Sequence, residues 1–101
     1  MRELQLTDEA CLDLADLHAW IRVDDPRRAG TFLAELLGVC ELLAEQPGIG
    51  RRREDLGPGV QVHVHQQRLI VYRSDATRVL VLRVLHGARS LTDQLDAGDD
   101  E

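Results

Sequence analysis

The fold is decided by residues 60–85, "VQVHVHQQRLIVYRSDATRVLVLRVL", in which three strand-like runs are separated by two short turns. Residues 60–65 alternate strictly between valine and a polar residue, which is typical of a half-buried strand with its valines on one face. Residues 68–74 form a second run, and residues 78–85 are apolar enough for the centre of a sheet. Because the turns, Gln-Gln and Asp-Ala-Thr, are so short, the three strands are predicted to form an antiparallel meander.

Upstream of the meander, apolar residues recur at helical spacing in two segments. Residues 8–22 follow Thr7, a candidate N-cap, and residues 26–46 follow Asp25, which can cap a helix that starts with proline. The short link between the two segments predicts an antiparallel helical hairpin. Residues 2–6 alternate as a short N-terminal strand does. The predicted order β-α-α-β-β-β is an α+β fold, with the hairpin on one face of an antiparallel sheet of three to four strands.

The chain has 101 residues, enough for one domain with a modest core. We assign residues 1–95 to that domain, with residues 87–95 as the candidate for a short C-terminal helix, and residues 96–101 to an acidic tail. No apolar run approaches the ~20 residues of a membrane span, and the N-terminus lacks the apolar core of a signal peptide. We therefore expect a cytoplasmic protein that does not contact a membrane.

The net charge of −6 is unevenly distributed along the chain. Residues 1–50 carry −6, residues 51–92 carry +5 and residues 93–101 carry −5. The central segment can therefore meet an acidic partner although the whole chain is acidic. All twelve basic residues are arginine, so no lysine can act as base, nucleophile or phosphate anchor.

Two polar groups in the central segment have alternative interpretations. His63 and His65 form an H-x-H pair that could share a metal, but no further ligands complete the site by sequence. We therefore predict two solvent-facing histidines and no metal or other cofactor. The second group, Arg51, Arg52 and Arg53, either holds phosphates or forms a solvated loop with Glu54 and Asp55 as counter-ions.

A third group lies at or just beyond the strand ends: Arg73, Arg83, His86 and Arg89. Arginines that stabilise a phosphorane and a histidine that acts as general acid would make a nuclease. Alternatively, Arg83 and Arg89 pair with acids or bind a protein partner, and His86 is a hydrogen-bonded residue at a strand end.

Five sequence blocks, taken in order, resemble toxins of the RelE/ParE superfamily of bacterial type II toxin–antitoxin systems, most closely the ParE branch. The resemblance extends over residues 7–95 and rests on "ACLDLADLHAWI", "DPRRAGTFLAEL", "LAEQPGIGRRREDLGPG", "LIVYR" and "RVLHGARSL". It implies a small toxin neutralised by a cognate ParD-like antitoxin, a DNA-binding dimer whose tail wraps the toxin. Contact with operator DNA would then occur only through the antitoxin.

The two branches of the superfamily share a fold but differ in the implied target. ParE-like toxins are thought to poison DNA gyrase, whereas RelE-like toxins cleave mRNA on the ribosome. RelE-type cleavage uses lysines and arginines on the sheet, often with a C-terminal tyrosine or a glutamate–histidine pair. This chain has no lysine, no tyrosine after Tyr72, and Gln61 where many relatives carry arginine. Ser90 also departs from the aspartate that is common in relatives directly after the arginine corresponding to Arg89.

These features favour a gyrase inhibitor that acts by protein binding and not by catalysis. The candidate residues for contact with the target are Arg51, Arg52, Arg53, Arg83, His86 and Arg89. The alternative is a ribosome-dependent mRNA endonuclease whose catalytic residues would be Arg73, Arg83, His86 and Glu54. A third interpretation is a degenerate, non-toxic subunit that still binds an antitoxin.

Overall fold

The computed structural model of the chain describes residues 2–87, which form two long helices and five strands. The helices are α1 (Asp8–Asp24) and α2 (Pro26–Glu45), and two short 3-10 helices follow at Pro47–Ile49 and Glu54–Leu56. The strands are β1 (Glu3–Leu6), β2 (Arg51–Arg52), β3 (Gln61–His65), β4 (Arg68–Ser74) and β5 (Arg78–His86). The predicted order β-α-α-β-β-β is confirmed, with the two-residue β2 added inside the loop before the meander. The predicted C-terminal helix and the acidic tail lie outside the described residues.

The sheet is mixed and has the strand order β1-β5-β4-β3-β2. Strands β3, β4 and β5 form the predicted antiparallel meander, but β1 lies beside β5 and runs parallel to it, with Leu4 opposite Val79. The whole helical hairpin separates β1 from the meander, and a connection of that length permits the parallel pairing. The alternation in β1 therefore predicted the strand correctly but could not predict its partner.

Both helices begin at the predicted caps. The Thr7 hydroxyl accepts a hydrogen bond from the Ala10 amide at 3.1 Å and donates to the Leu82 carbonyl at 2.8 Å, so it also ties α1 to β5. Asp25 accepts from the Arg28 amide at 3.0 Å, and Pro26 occupies the first turn of α2. Each side chain satisfies an amide that the first helical turn leaves without a partner.

The sheet has an apolar cluster on each face. The larger cluster lies between the sheet and the helices and includes Leu36, Ile70, Tyr72 and Val81. The smaller cluster covers the opposite face and consists of buried Val60, Val62, Leu69, Val71 and Leu85. The sheet is thus buried on both sides over much of its area.

The valines of β3 face away from the helices, and its polar residues face towards them. Val64 is 59% exposed, so the predicted apolar face of this strand ends at Val62. The prediction that His65 faces solvent is wrong: its ring stacks on Phe32 of α2 at 6.3 Å between centroids, and its Nε2 lies 3.6 Å from Glu35. Alternation alone could not say which face of β3 meets the helices.

Tyr72 and Gln61 fix the start of the arginine-rich loop to the sheet. The buried Tyr72 hydroxyl donates to the Pro47 carbonyl at 2.6 Å and accepts from the Gly50 amide at 2.8 Å. The Gln61 amide donates to the Pro47 and Gly50 carbonyls at 3.0 and 3.1 Å. A Cβ atom on Gly50 would collide with the Tyr72 ring, so only glycine permits this approach.

Candidate interaction surface

The basic loop places three arginines at the outer edge of the sheet. Arg51 and Arg52 form β2, pair with β3 and are exposed. Arg53 is bound by Asp55 through two hydrogen bonds of 2.9 and 2.7 Å, and this pairing raises the pKa of Arg53 and lowers the pKa of Asp55. Counter-ions therefore occupy part of the loop, and Arg51 and Arg52 are its most accessible cations.

Arg83 is bound to α1. Its Nε and Nη2 donate to the two carboxylate oxygens of Asp13 at 2.8 and 3.0 Å, and the Val84 amide donates to the same carboxylate at 2.9 Å. The carboxylate raises the pKa of Arg83. Strand β1 ends at Leu6, which pairs with Val81, so β1 provides no partner for the Val84 amide further along β5. The Asp13 carboxylate accepts the hydrogen bond of that amide instead. Arg83 thus joins a helix to the sheet.

The four candidate nuclease residues do not meet. Arg73 pairs with Leu80 near one end of β4, whereas His86 pairs with Arg68 at the other end. Five residues at ~3.3 Å each separate those positions by about 17 Å along the strand. Glu54 lies beside β2, whose Arg52 pairs with Gln61 at the end of the sheet remote from His86.

These residues also lie on opposite faces of the sheet. Ile70 and Tyr72 point towards the helices, so Arg73 points away from them by the alternation of β4. His86 lines a pocket with residues of α1 and is therefore on the helix side. The sequence placed Arg73, Arg83 and His86 near strand ends and Glu54 in the basic loop, but it could not distinguish which end or which face of the sheet each residue occupies. Arg89 lies outside the described residues.

His86 and Arg68 line a pocket of about 320 Å³ between α1 and the end of β5. Its remaining walls are Asp13, Asp16, Leu17, Trp20, Val84 and Leu85. Trp20 is 71% exposed, whereas Arg68 is only 9% exposed. This site could not be predicted from the sequence, because Arg68 resembles any arginine at the start of a strand and its burial depends on α2.

A second, wider groove of about 490 Å³ runs along the outer side of the helical hairpin. Its lining is almost entirely apolar and consists of Leu6, Cys11, Leu14, Ala15, His18, Leu33 and Leu37. Further large apolar side chains, Leu12, Val23 and Leu42, are exposed on the same two helices. An apolar groove on a helical hairpin that also exposes large apolar side chains is typical of a surface that binds a protein partner.

Neither a metal cluster nor a membrane span occurs within residues 2–87. No three His, Cys, Asp or Glu side chains in this part of the chain are grouped so that they could hold a metal ion. His63 and His65 share a strand face, but His65 contacts Phe32 and Glu35. Neither α1 nor α2 is long and apolar enough to cross a membrane.

Comparison with known proteins gives consistent matches. A family model described as "ParE toxin of type II toxin-antitoxin system, parDE" matches residues 4–91. Toxin ParE1 of Caulobacter vibrioides is 30% identical over 89 residues, which cover 85% of this chain and 90% of that protein. Toxin ParE3 of the same organism is 33% identical over 67 residues, covering 66% and 67%.

A solved structure titled "Chromosomal ParDE TA system from P. aeruginosa" contains a chain of similar fold. The two chains superpose with a TM-score of 0.73 at 20% identity, over 85% of this chain and 96% of that one. At that identity the likeness concerns the fold alone.

Proposed function

The chain belongs to the ParE toxin family of type II toxin–antitoxin systems, and from that premise we propose that it inhibits DNA gyrase by binding and is neutralised by a ParD-like antitoxin. The observation that carries the proposal is the dispersal of the groups that a nuclease would need. His86 and Arg73 lie on opposite faces and at opposite ends of the sheet, and the Arg83 guanidinium is bound by Asp13. Phosphodiester cleavage requires acid, base and cation within a few ångströms of one phosphate.

Contact with gyrase is assigned to the exposed arginines of the basic loop. Arg51 and Arg52 project from an edge strand that the Tyr72 and Gln61 hydrogen bonds hold in place. Arg53 supports the loop through Asp55. Rim arginines of this kind attract an acidic partner and fix its orientation.

The antitoxin is expected in the groove along the outer side of the helical hairpin. An amphipathic helix buries its apolar face in a groove of this shape. The pocket walls contributed by Leu14, Leu33 and Leu37 would receive its apolar side chains. We expect one antitoxin chain per toxin chain, dimerisation through the antitoxin, and operator binding by the antitoxin alone. The complex would form in the cytoplasm.

The test combines two assays on the purified chain. Supercoiling by DNA gyrase with ATP is measured alongside mRNA cleavage in a translating ribosome system. We expect inhibited supercoiling or trapped cleaved DNA, with intact mRNA. His86→Gln should retain this activity, and the double substitution Arg51→Glu with Arg52→Glu should weaken it by more than tenfold. Cleaved mRNA, abolished by His86→Gln, would establish the endonuclease instead, and inactivity in both assays would indicate a non-toxic subunit.

A further inference from the structure

Arg68, at the start of β4, is a largely buried cation that no anion binds within the part of the chain that the structure describes. It is 9% exposed, and within residues 2–87 its side chain has neither a hydrogen bond nor an ion pair. Its guanidinium lies 5.9 Å from the centroid of the Phe32 ring, a contact that stabilises a cation only weakly. Burial lowers the pKa of Arg68, since the charged form has lost water without gaining a carboxylate.

Two other arginines near the helices, Arg83 and Arg28, have a carboxylate partner. Arg83 is bound by Asp13, and Arg28, which lies 4.7 Å from the same Phe32 ring, is bound by Glu35 at 2.9 Å. Arg68 is more buried than either of them. The guanidinium nitrogens of Arg68 keep some contact with solvent, since none of them is fully buried without a hydrogen-bond partner. A largely buried guanidinium without a counter-ion has nevertheless lost part of its hydration, and an added carboxylate would offset that loss.

The pocket that Arg68 lines has the size and walls for an acidic side chain and one apolar neighbour. Its volume is about 320 Å³, and Leu17, Trp20, Val84 and Leu85 supply apolar walls. Both oxygens of Asp13 are already bound by Arg83 and the Val84 amide, and neither forms a hydrogen bond with Arg68.

Asp16 is the remaining acid of this pocket, and His86 is the remaining titratable group. Asp16 is exposed and therefore screened by water and salt. Its charge opposes an incoming anion without preventing it from reaching the buried guanidinium. A polyanion such as nucleic acid is disfavoured here, because one buried cation between two acids and apolar walls cannot track a phosphate backbone.

We propose that the Arg68 pocket receives the carboxylate of a glutamate or aspartate side chain from the antitoxin, with an adjacent apolar side chain against Trp20. This inference rests on the proposed antitoxin binding and names a second anchor for it, distinct from the groove along the hairpin. The contact is bidentate, as arginine and carboxylate geometries allow. The antitoxin carboxylate would thus supply Arg68 with an ion pair that residues 2–87 of the free toxin do not provide.

Binding of a carboxylate in the Arg68 pocket can be followed by the fluorescence of Trp20, the only tryptophan of the chain. Its fluorescence is titrated in the intact chain with N-acetyl-leucyl-glutamate and with N-acetyl-leucyl-glutamine, both amidated at the C-terminus so that only the glutamate peptide carries a charge. We expect a saturable change with the glutamate peptide and at least tenfold weaker binding of the glutamine peptide. Asp16→Asn should tighten the acidic peptide two- to fivefold, and Arg68→Met should weaken it at least tenfold. Arg28→Met is the matched control, since Arg28 contacts Phe32 but does not line the pocket.

A thermal melt of each variant separates binding from folding. Arg68→Met should melt no lower than the parent chain, because it removes an uncompensated buried charge. Equal binding of the two peptides, or no effect of Asp16→Asn, would overturn the proposal. A change in the Trp20 fluorescence of the free chain when residues 96–101 are deleted would also overturn the proposal, because the acidic tail would then be the occupant of the pocket. These readouts do not require gyrase or the antitoxin, so their failure is distinct from failure of the proposed function.

Discussion

The Asp13–Arg83 pair provides the most informative single perturbation, because it decides whether Arg83 supports the fold or acts on a substrate. Asp13→Ala removes three hydrogen bonds to one carboxylate, two from Arg83 and one from the Val84 amide. The Asp13 side chain is 15% exposed and that of Arg83 is 36% exposed, so the pair is neither fully buried nor free in solvent.

The expected cost lies between the limits for surface and buried pairs. Exposed ion pairs contribute ~0–1 kcal/mol, whereas removing one partner of a buried pair costs about 3–5 kcal/mol. With solvent screening at Arg83, we expect Asp13→Ala to lower the free energy of unfolding by about 2–3 kcal/mol. For a domain of this size that corresponds to a fall in Tm of about 10–20 °C.

The assay is urea unfolding of Asp13→Ala, Arg83→Gln and the double variant. A coupling energy of about 1–2 kcal/mol is expected from the double-mutant cycle. Asp16→Asn, one turn further along α1 and without a hydrogen-bonded arginine, is the matched control and should stay within about 0.5 kcal/mol of the parent. If Arg83→Gln leaves stability unchanged, or Asp13→Ala costs no more than Asp16→Asn, the structural role of Arg83 is wrong.

Three further predictions concern the loop, acid stability and the outer groove. Tyr72→Phe should cost about 1–3 kcal/mol in urea unfolding, because the Gly50 amide loses its acceptor; an unchanged unfolding midpoint would contradict this. Hydrogen bonds from Thr77 lower the pKa of Asp75, so the contribution of Asp75 to folding stability is present above about pH 4 and is lost as the pH falls through the lowered pKa. Asp75→Asn should therefore reduce the loss of stability measured at acid pH, and an unchanged acid profile would contradict this. Maleimide should label the exposed Cys11 but not Cys40, because burial raises the pKa of the Cys40 thiol to about 11. Bound antitoxin should protect Cys11 from labelling, and undiminished labelling in the complex would place the antitoxin elsewhere.

Local patterns predicted the elements of this fold well. The caps at Thr7 and Asp25, the hairpin and the three meander strands each depend on neighbouring residues, and all are confirmed. The parallel pairing of β1 and the inward orientation of His65 depend on contacts between residues far apart in sequence, so alternation could not predict them.

The candidate site was less predictable than the fold. The sequence identified Arg51, Arg52 and Arg83 by their charge, but not that Asp13, 70 residues away, binds Arg83. Arg68 carried no sequence signal, because the lack of a carboxylate bound to it among residues 2–87 is a property of the folded surface. Side-chain charge can be read from a sequence, whereas the presence or absence of a partner depends on tertiary packing.

Whether the chain acts on gyrase by binding is best tested by the stoichiometry of inhibition. A protein that acts by binding inhibits only as many gyrase molecules as it occupies, whereas an enzyme acts on many substrate molecules. We would titrate the purified chain against a fixed, high concentration of gyrase and measure residual supercoiling, with mRNA integrity followed in a parallel translation reaction. Inhibition by binding predicts a linear loss of supercoiling that reaches its end point near equivalence, with intact mRNA. Unaffected gyrase with mRNA cleaved at substoichiometric amounts of the chain would contradict it.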